Sequence, residues 1–303
     1  MKKGIFLFLF ILSFQFNISF GQVGLGIFGL APDDAGNYSK PMATFLGTYF
    51  NSGAYYSAEL PETFQFKFSI IGMYTFVPDG QTTFTPNPGV SGYSNSGSTA
   101  TFVGGDGSYQ IGPGGFLAYP GGFNVSSVPS GIYQIAGSFF RTELMLRYFP
   151  SSTFSDVKSG FWGIGLKHDF SQLFSSLTFN IALQVLYNTF SLDYVGDDPT
   201  SYINMESENI AINVQGSKTF EGMFIVYGGL QYESSSMDLS YYFRDPNELY
   251  PSIANTVQNT SVDGDNVFRF TAGGAIQLMP VVFNLDFNIT SMFTITGGIS
   301  LQI

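Results

Sequence analysis

From Thr63 onward apolar and polar residues alternate with period two, the signature of a strand with two unlike faces. In residues 63–77, Phe64, Phe66, Phe68, Ile70, Tyr74 and Phe76 share one face, while Thr63, Gln65, Lys67, Ser69 and Thr75 share the other. Between about 132 and 149, Ala136, Phe140, Leu144, Leu146 and Tyr148 oppose Arg141, Glu143 and Arg147. In 160–170, Trp162, Ile164, Leu166 and Phe170 oppose Gly163, Gly165, Lys167 and Asp169, and in 178–194 Phe179 to Tyr187 oppose Asn180, Gln184 and Asn188. The second half repeats this at 209–217, 224–233, 268–277, 283–289 and 293–303, where Arg269 and Asp286 fall on the polar phase. Nine strands emerge, most of them longer than the 5–6 residues usual in soluble sheets.

Long alternating strands suit either a soluble sandwich or a transmembrane barrel. A sandwich meets water with charged residues, whereas a barrel lumen takes Asn, Gln, Ser, Thr and Gly with a few paired charges. Only 11% of this chain is charged. The strand charges come in both signs, Arg141, Arg147, Lys167 and Arg269 against Glu143, Asp169, Glu233 and Asp286, as a lumen with internal pairs requires. Run lengths cover the ~9–11 tilted residues that cross a bilayer. Tyr74 with Phe76, Tyr148 with Phe149, and Tyr241-Tyr242-Phe243 read as interfacial girdles. The fold is therefore read as all-β, an antiparallel transmembrane β-barrel over residues 62–303.

Links alternate between short (171–177, 219–223, Met279-Pro280) and long (78–131, 195–206, 243–265). Short turns on one rim and long loops on the other is the bacterial pattern, with the long loops outside. Termini on one side demand an even count, so nine strands imply a tenth, with eight to fourteen allowed. It is expected in 78–131, at Thr99–Val103 or Tyr109–Ile111, because a structureless loop of that length is rare. Before the barrel, in the segment 22–61, the period changes: Met42, Phe45, Leu46, Tyr49 and Phe50 fall on one helical face, with Ser39 as cap, Pro41 in the first turn and Gly53 as stop. Two placements remain open, a helix on the rim or a plug in the lumen.

Residues 1–21 carry Lys2 and Lys3, an apolar run and small residues at Ser19 and Gly21, the layout of a cleaved secretory signal. Its loss removes two lysines, so the net charge of −11 becomes −13. An acidic chain lacks the basic footprint that nucleic acid needs. Zero cysteines and the single His168 exclude thiolate sites, disulfides and multi-histidine metal sites. No metal and no cofactor is expected. The mean hydropathy of +0.16 is too low for a helical membrane protein, and no later run approaches 18 apolar residues.

Other motifs dissolve on inspection. Gly24-Leu25-Gly26-Ile27-Phe28-Gly29 matches a dinucleotide fingerprint, but no strand precedes it and no βαβ unit follows. Asp263-Gly264-Asp265-Asn266 and Gly196-Asp197-Asp198 lack the twelve-residue calcium loop and read as solvated turns, and Asp33-Asp34 reads as a turn before the helix. His168 and Asp169 are adjacent on a strand and point to opposite faces, so they cannot form a catalytic pair. His168 reads as an interfacial residue near the periplasmic rim, and the chain reads as a protein without enzymatic activity.

Several stretches resemble a family of exported β-barrel proteins of Gram-negative bacteria with no assigned function. They are Phe76-Val77-Pro78, Thr142 to Tyr148, Gly163 to Asp169 followed by Gln172, and the amphipathic stretch 41–56. The resemblance implies an outer-membrane barrel and carries no site residues with it. From the residues themselves, the expected role is passage or binding of a small or apolar solute in the outer membrane. Lys67, Arg141, Glu143, Arg147, Lys167, Asp169, Arg269 and Asp286 are the expected lumen charges. The cations either hold a solute's acid group or pair with the carboxylates. The alternative is a structural or surface-interaction barrel whose loops meet partners outside the cell, and a third, disfavoured reading is a lipid-modifying barrel enzyme using His168. The expected partners are outer-membrane lipid and a small apolar ligand.

Overall fold

The computed structural model describes residues 26–87, 93, 97–112, 115–154, 157–174, 176–195, 200–245 and 255–303. The expected signal at 1–21 and the 196–198 acidic turn lie outside the described residues. The helix α1 (Pro32–Asn51) precedes the sheet. The strands are β1 (Gln65–Phe76), β2 (Thr83–Phe84), β3 (Thr99–Ala100), β4 (Ser108–Gly112), β5 (Gly115–Tyr119), β6 (Ser127–Phe139), β7 (Thr142–Phe154) and β8 (Val157–Asp169). They continue with β9 (Asn180–Val195), β10 (Tyr202–Phe220), β11 (Phe224–Tyr242), β12 (Val257–Asp263), β13 (Phe268–Leu278), β14 (Val281–Ile289) and β15 (Thr294–Gln302).

Antiparallel ladders run β10-β9-β8-β7-β6-β1-β15-β14-β13-β11, and β10 pairs with β11 to close the ring. β12 and β13 share β11 as neighbour, β13 along its first half and β12 along its second, so they occupy one place in a ten-stranded wall. Closure satisfies the backbone without water, which is what a lipid-facing sheet needs. No helix among the described residues is long and apolar enough to cross a membrane.

The tenth strand is not in 78–131. The run 132–149 is a hairpin, β6 and β7, turned at Phe140 and Arg141, both at positive φ (47° and 57°). The turn resets the alternation, so Ala136 faces inward and is buried, opposite to its expected face. Thr99 and Tyr109 belong to the small ladders β2–β3 and β4–β5 outside the wall. The long loops are also shorter than expected: 78–131 ends in β6, 195–206 runs into β10 at Tyr202, and 243–265 contains β12. The helix starts earlier, with Pro32 in its first turn, Asp33 and Asp34 inside it rather than in a turn, and Pro41 in its body.

The tall wall of β10 to β12 explains why its upper parts escaped the pattern. On β10, exposed Ile210, Ile212 and Val214 give way toward the long-loop end to exposed Glu208, Glu206 and Asn204, while inward Asn209 and Asn213 give way to buried Met205 and Ile203. On β11, exposed Val226, Leu230 and Tyr232 give way to Ser234 and Asp238, and buried Gln231 and Glu233 to Met237, Leu239 and Tyr241. The phase of the pattern inverts where lipid ends and water begins. Below the inversion the outward apolar band runs from Ile210 to Phe220 and from Phe224 to Tyr232, matching the ~9–11 residues of a spanning strand. Tyr74, Tyr148, Trp162 and Tyr232, with half-buried Tyr187, ring its upper edge and Phe64, Phe139, Phe179, Phe220 and Phe224 its lower edge, all but Tyr187 exposed. Tyr241 is not a girdle residue: it is 1% exposed, above the lipid, and donates to the Leu30 carbonyl at 2.6 Å. Phe149 likewise packs inward.

Candidate functional site

The lumen is filled by the chain's own N-terminal segment, so the helix is a plug rather than a rim element. α1 enters at the long-loop end, where its small residues let it close on the wall: Gly36 against Thr260 and Val262, and Gly47 against Ser235. Its other side carries the expected Phe45, Leu46, Tyr49 and Phe50, with Met42 partly buried beside them. Phe45 stacks on Tyr49 (5.9 Å), Tyr49 meets Phe50 (4.6 Å), and Phe50 stacks on Phe161 of β8 at 4.1 Å and approaches Phe190 of β9 at 5.7 Å. This apolar chamber occupies the upper half of the molecule.

α1 has no basic residue in its last turn, and its final carbonyls are instead gripped by two arginines of the wall. Arg147 donates to the carbonyls of Phe50 (2.7 Å) and Ser52 (3.0 Å) and to Gln134 Oε1 (3.1 Å). Arg269 donates to the Thr48 carbonyl (3.0 Å) and to Ser52 Oγ, and pairs with Glu233 at 3.0 Å. Gly53, at φ +65°, then turns the chain down the lower lumen. There Tyr55 meets Tyr227 edge-on (5.9 Å), Lys67 lies over the Tyr56 ring (5.1 Å), and the Ala58 N–H donates to Ser217 Oγ (2.8 Å). The wall makes room with small residues: a Cβ on Gly229 would stand 2.5 Å from the Tyr55 hydroxyl. A ten-stranded wall of large side chains would fill itself.

Seven of the eight expected lumen charges, Lys67, Glu143, Arg147, Lys167, Asp169, Arg269 and Asp286, face inward and are buried. Glu143 joins Lys67 (2.7 Å) and Lys167 (3.1 Å). Asp169 accepts from the Ser171 side chain and from the Leu60 N–H (3.3 Å). Asp286 accepts from the Tyr227 hydroxyl (2.8 Å) and Asn288 Nδ2 (2.6 Å), with no cation in salt-bridge range among the described residues. Arg141 is the correction: it sits in the β6–β7 turn on the rim, bonded to Glu62 at 2.8 Å and 3.7 Å from Asp169. His168 lies beside that turn, its Nδ1 2.8 Å from Thr142 Oγ1.

Glu233, read from the sequence as a polar-phase strand charge but not among the eight expected site residues, is buried; its carboxylate holds Arg269 and accepts from Gln231 (2.8 Å) and Thr290 (3.2 Å). A carboxamide face on β9 to β11, Gln184, Asn188, Asn209, Asn213, Gln215 and Gln231, is also buried, and several of its atoms have no hydrogen-bond partner. Its signal was present as Asn and Gln at every second position.

The wall has one short seam. β6 and β7 pair only from Phe139↔Thr142 to Gln134↔Arg147, although β6 continues along β1 to Ser127 and β7 along β8 to Phe154. The Val77 N–H bond to the Ser126 carbonyl fixes the alternation, so Pro129 and Gly131 turn their backbone polar groups toward the seam. On β7 the register against β8 shifts between Phe149 and Ser152, beside the seam. Pro129 has no N–H to give to a partner there, which is where strand prolines belong. The Tyr49 hydroxyl of the plug donates instead to the Gly131 carbonyl at 2.5 Å. Pro129 pairs with Tyr74 and Gly131 with Gly72, so the seam lies in the outer half of the lipid band.

A closed ladder with a lipid-length apolar band, two aromatic girdles and a polar lumen makes this an outer-membrane β-barrel. A family model described as a family of unknown function, DUF6588, matches residues 1–303. The chain belongs to the DUF6588 family. No curated protein matches it in sequence. Solved structures similar to this DUF6588 barrel include Ail, the attachment invasion locus protein of Yersinia pestis, at 8% identity and TM-score 0.31, covering 80% of this chain and 100% of that one. A FadL homologue of Pseudomonas aeruginosa has 8% identity and TM-score 0.28 over 80% of this chain and 90% of its own. A TodX deletion mutant, a monoaromatic hydrocarbon channel, has 8% identity and TM-score 0.26 over 81% and 91%. The architecture of the DUF6588 barrel rests on its own ladders, not on likenesses of this size.

Proposed function

We propose that this barrel is a plugged conduit that takes a small apolar or amphiphilic solute between the outer leaflet and the lumen. The observation that carries the reading is the β6–β7 seam, where ladder pairing stops at Gln134↔Arg147, the aromatic side of α1 stands behind the wall and the Tyr49 hydroxyl reaches the Gly131 carbonyl. A barrel with only a structural role gains nothing from a gap in its wall at lipid depth. Two further features support it. The wall is lined with small residues that leave space for an insert, and unpartnered carboxamide atoms line the lumen as a solvated path would want.

No strand of the wall pairs with the plug, which is held by packing, by isolated hydrogen bonds and by the Lys40–Asp265 pair, so it can withdraw without breaking the sheet. Purified protein in liposomes tests this. The full chain should take up a small aromatic or acyl solute, and deletion of 23–56 should raise ion conductance by emptying the lumen. No uptake by the full chain, together with no conductance after deletion, overturns the proposal. The strands that rise above the lipid, with exposed Glu206, Glu208 and Asp238, favour a second reading as a surface-interaction barrel. That reading predicts neither effect.

A further inference from the structure

We infer that Arg147, with Arg269 beside it, is the recognition site for the acid group of the solute, and that the last carbonyls of α1 occupy that site in the closed state. This rests on the conduit reading above and names its substrate class, an apolar compound bearing one carboxylate.

The argument starts from charge compensation. Lys67 and Lys167 share Glu143, Arg269 has Glu233, and Arg141 has Glu62. Arg147 is 1% exposed, and among the described residues no carboxylate lies within salt-bridge range of it. Burying a guanidinium is costly unless an anion and full hydrogen bonding offset it. What Arg147 receives are neutral oxygens: one carboxamide and two carbonyls at the helix C-terminus, which carries roughly half a negative charge. Those carbonyls accept from Nη1 and Nη2 at 2.7 and 3.0 Å, a pair of oxygens on two parallel donors, as one carboxylate would be held. Arg269 adds a second guanidinium on Ser52 and still has its Nε without a partner.

The surroundings set the rest of the ligand. Gln134↔Arg147 is the last rung below the seam, so Arg147 stands at the foot of the opening to the lipid. Just above it Phe50 stacks on Phe161 with Phe190 tilted beside it, a lining that takes an acyl chain or an aromatic ring and gives a polar body no partner. A monoacid arriving through the seam exchanges two carbonyls for a full charge at Arg147 and leaves its tail among the aromatics. Withdrawal of α1 and capture of the acid are then one competition for the same donors.

The test uses the full mature chain in phosphatidylcholine nanodiscs, with a diazirine-bearing dodecanoate as photoreactive probe and mapping of the labelled peptides by mass spectrometry. Labelling is expected on α1, β8 and β9, and dodecanoate should compete at least about tenfold better than its methyl ester, the scale of one charge-assisted hydrogen-bonded pair. Arg147→Gln should erase the preference for acid over ester, and Arg147→Lys should keep part of it. Equal competition by acid and ester in the wild type, with labelling still inside the lumen, overturns the recognition site and leaves the conduit standing. Labelling confined to the outer lipid-facing wall overturns the conduit itself. The acid-to-ester comparison in the wild type needs no variant to fold, so a defect in Arg147→Gln does not rescue the inference.

Discussion

Gly47→Ala probes the seat of the plug with a single methyl group. A Cβ at position 47 would stand 2.6 Å from both Cβ and Oγ of Ser235 and 3.3 Å from Asn266 Cγ. Carbon atoms pack best at roughly 3.5–4.0 Å, so α1 must retreat by about 1 Å. Ser235 Cβ is fixed to β11 and cannot yield. Retreat stretches the bond from Arg269 to the Thr48 carbonyl (3.0 Å) and from Asn266 to Thr48 Oγ1 (2.6 Å). Overpacking of this kind costs roughly 1–3 kcal/mol, while alanine regains roughly 1 kcal/mol of helix propensity over glycine. The net effect is roughly 0–2 kcal/mol against the seated plug, or up to about a thirtyfold rise in the unseated population. The chain has no cysteine, so Ala54→Cys gives a single reporter in the lumen whose labelling by an impermeant maleimide measures unseating. Two companions sharpen the reading. Gly36→Ala meets only movable side-chain tips, Thr260 Oγ1 at 3.1 Å and Val262 Cγ2 at 3.3 Å, and should label no faster than the parent. Ser235→Gly removes both clashing atoms, and its hydroxyl has no partner to lose, so Gly47→Ala with Ser235→Gly should return to the parent rate. Unchanged labelling in Gly47→Ala, or no rescue by Ser235→Gly, refutes the seating described above.

Tyr49→Phe deletes the hydroxyl that serves the Gly131 carbonyl and should cost roughly 1–3 kcal/mol if that acceptor finds no other donor. Amide exchange along 127–133 of β6 should quicken; unchanged protection would mean Tyr49 does not close the seam. A second tie joins α1 to the β12–β13 link, where Lys40 pairs with Asp265 at 2.7 Å and Gln81 donates to it at 2.7 Å. Partial burial alone would raise the Asp265 carboxyl, but the bond and charge of Lys40 and the bond of Gln81 hold it below its ordinary 3.8. Its contribution is therefore complete above pH 3.8 and is lost as pH falls through the lower folded value. Both partners are about two-fifths exposed (43% and 38%), so the contribution is small, roughly 0.2–1 kcal/mol. Conductance should stay flat from pH 8 to 5 and rise only in stronger acid, and Asp265→Asn should remove that acid response. A rise already at pH 6 would place the switch elsewhere.

Most of the wall was legible because a strand's faces alternate strictly, and the lipid face of β1, β9, β14 and β15 could be read residue by residue. The errors share one cause. The β6–β7 hairpin turns in two residues that look like strand, Phe140 and Arg141, so two strands read as one. The upper parts of β10 and β12 read as loop because their outward side meets water and their inward side an apolar core, the reverse of the pattern below. Lumen charges were placed by phase alone, which served for Lys67 or Asp286 and failed for Arg141, whose position depends on the turn. The partners of those charges were out of reach, because Glu143 joins residues from β1 and β8, and Glu233 from β11 joins Arg269 on β13.

By itself the sequence settled that this chain is a two-faced sheet with a polar interior and an amphipathic helix ahead of it. Period, composition and strand length are local properties and need no knowledge of what packs where. Tertiary structure alone decided that the helix lies inside, that its C-terminus rests on Arg147 and Arg269, and that β6 and β7 part above Gln134. These depend on which strands become neighbours when the ring closes, and on how much room ten strands of small inward residues leave. Pro129 was in plain view, but it marks a seam only once the edges of β6 and β7 face each other.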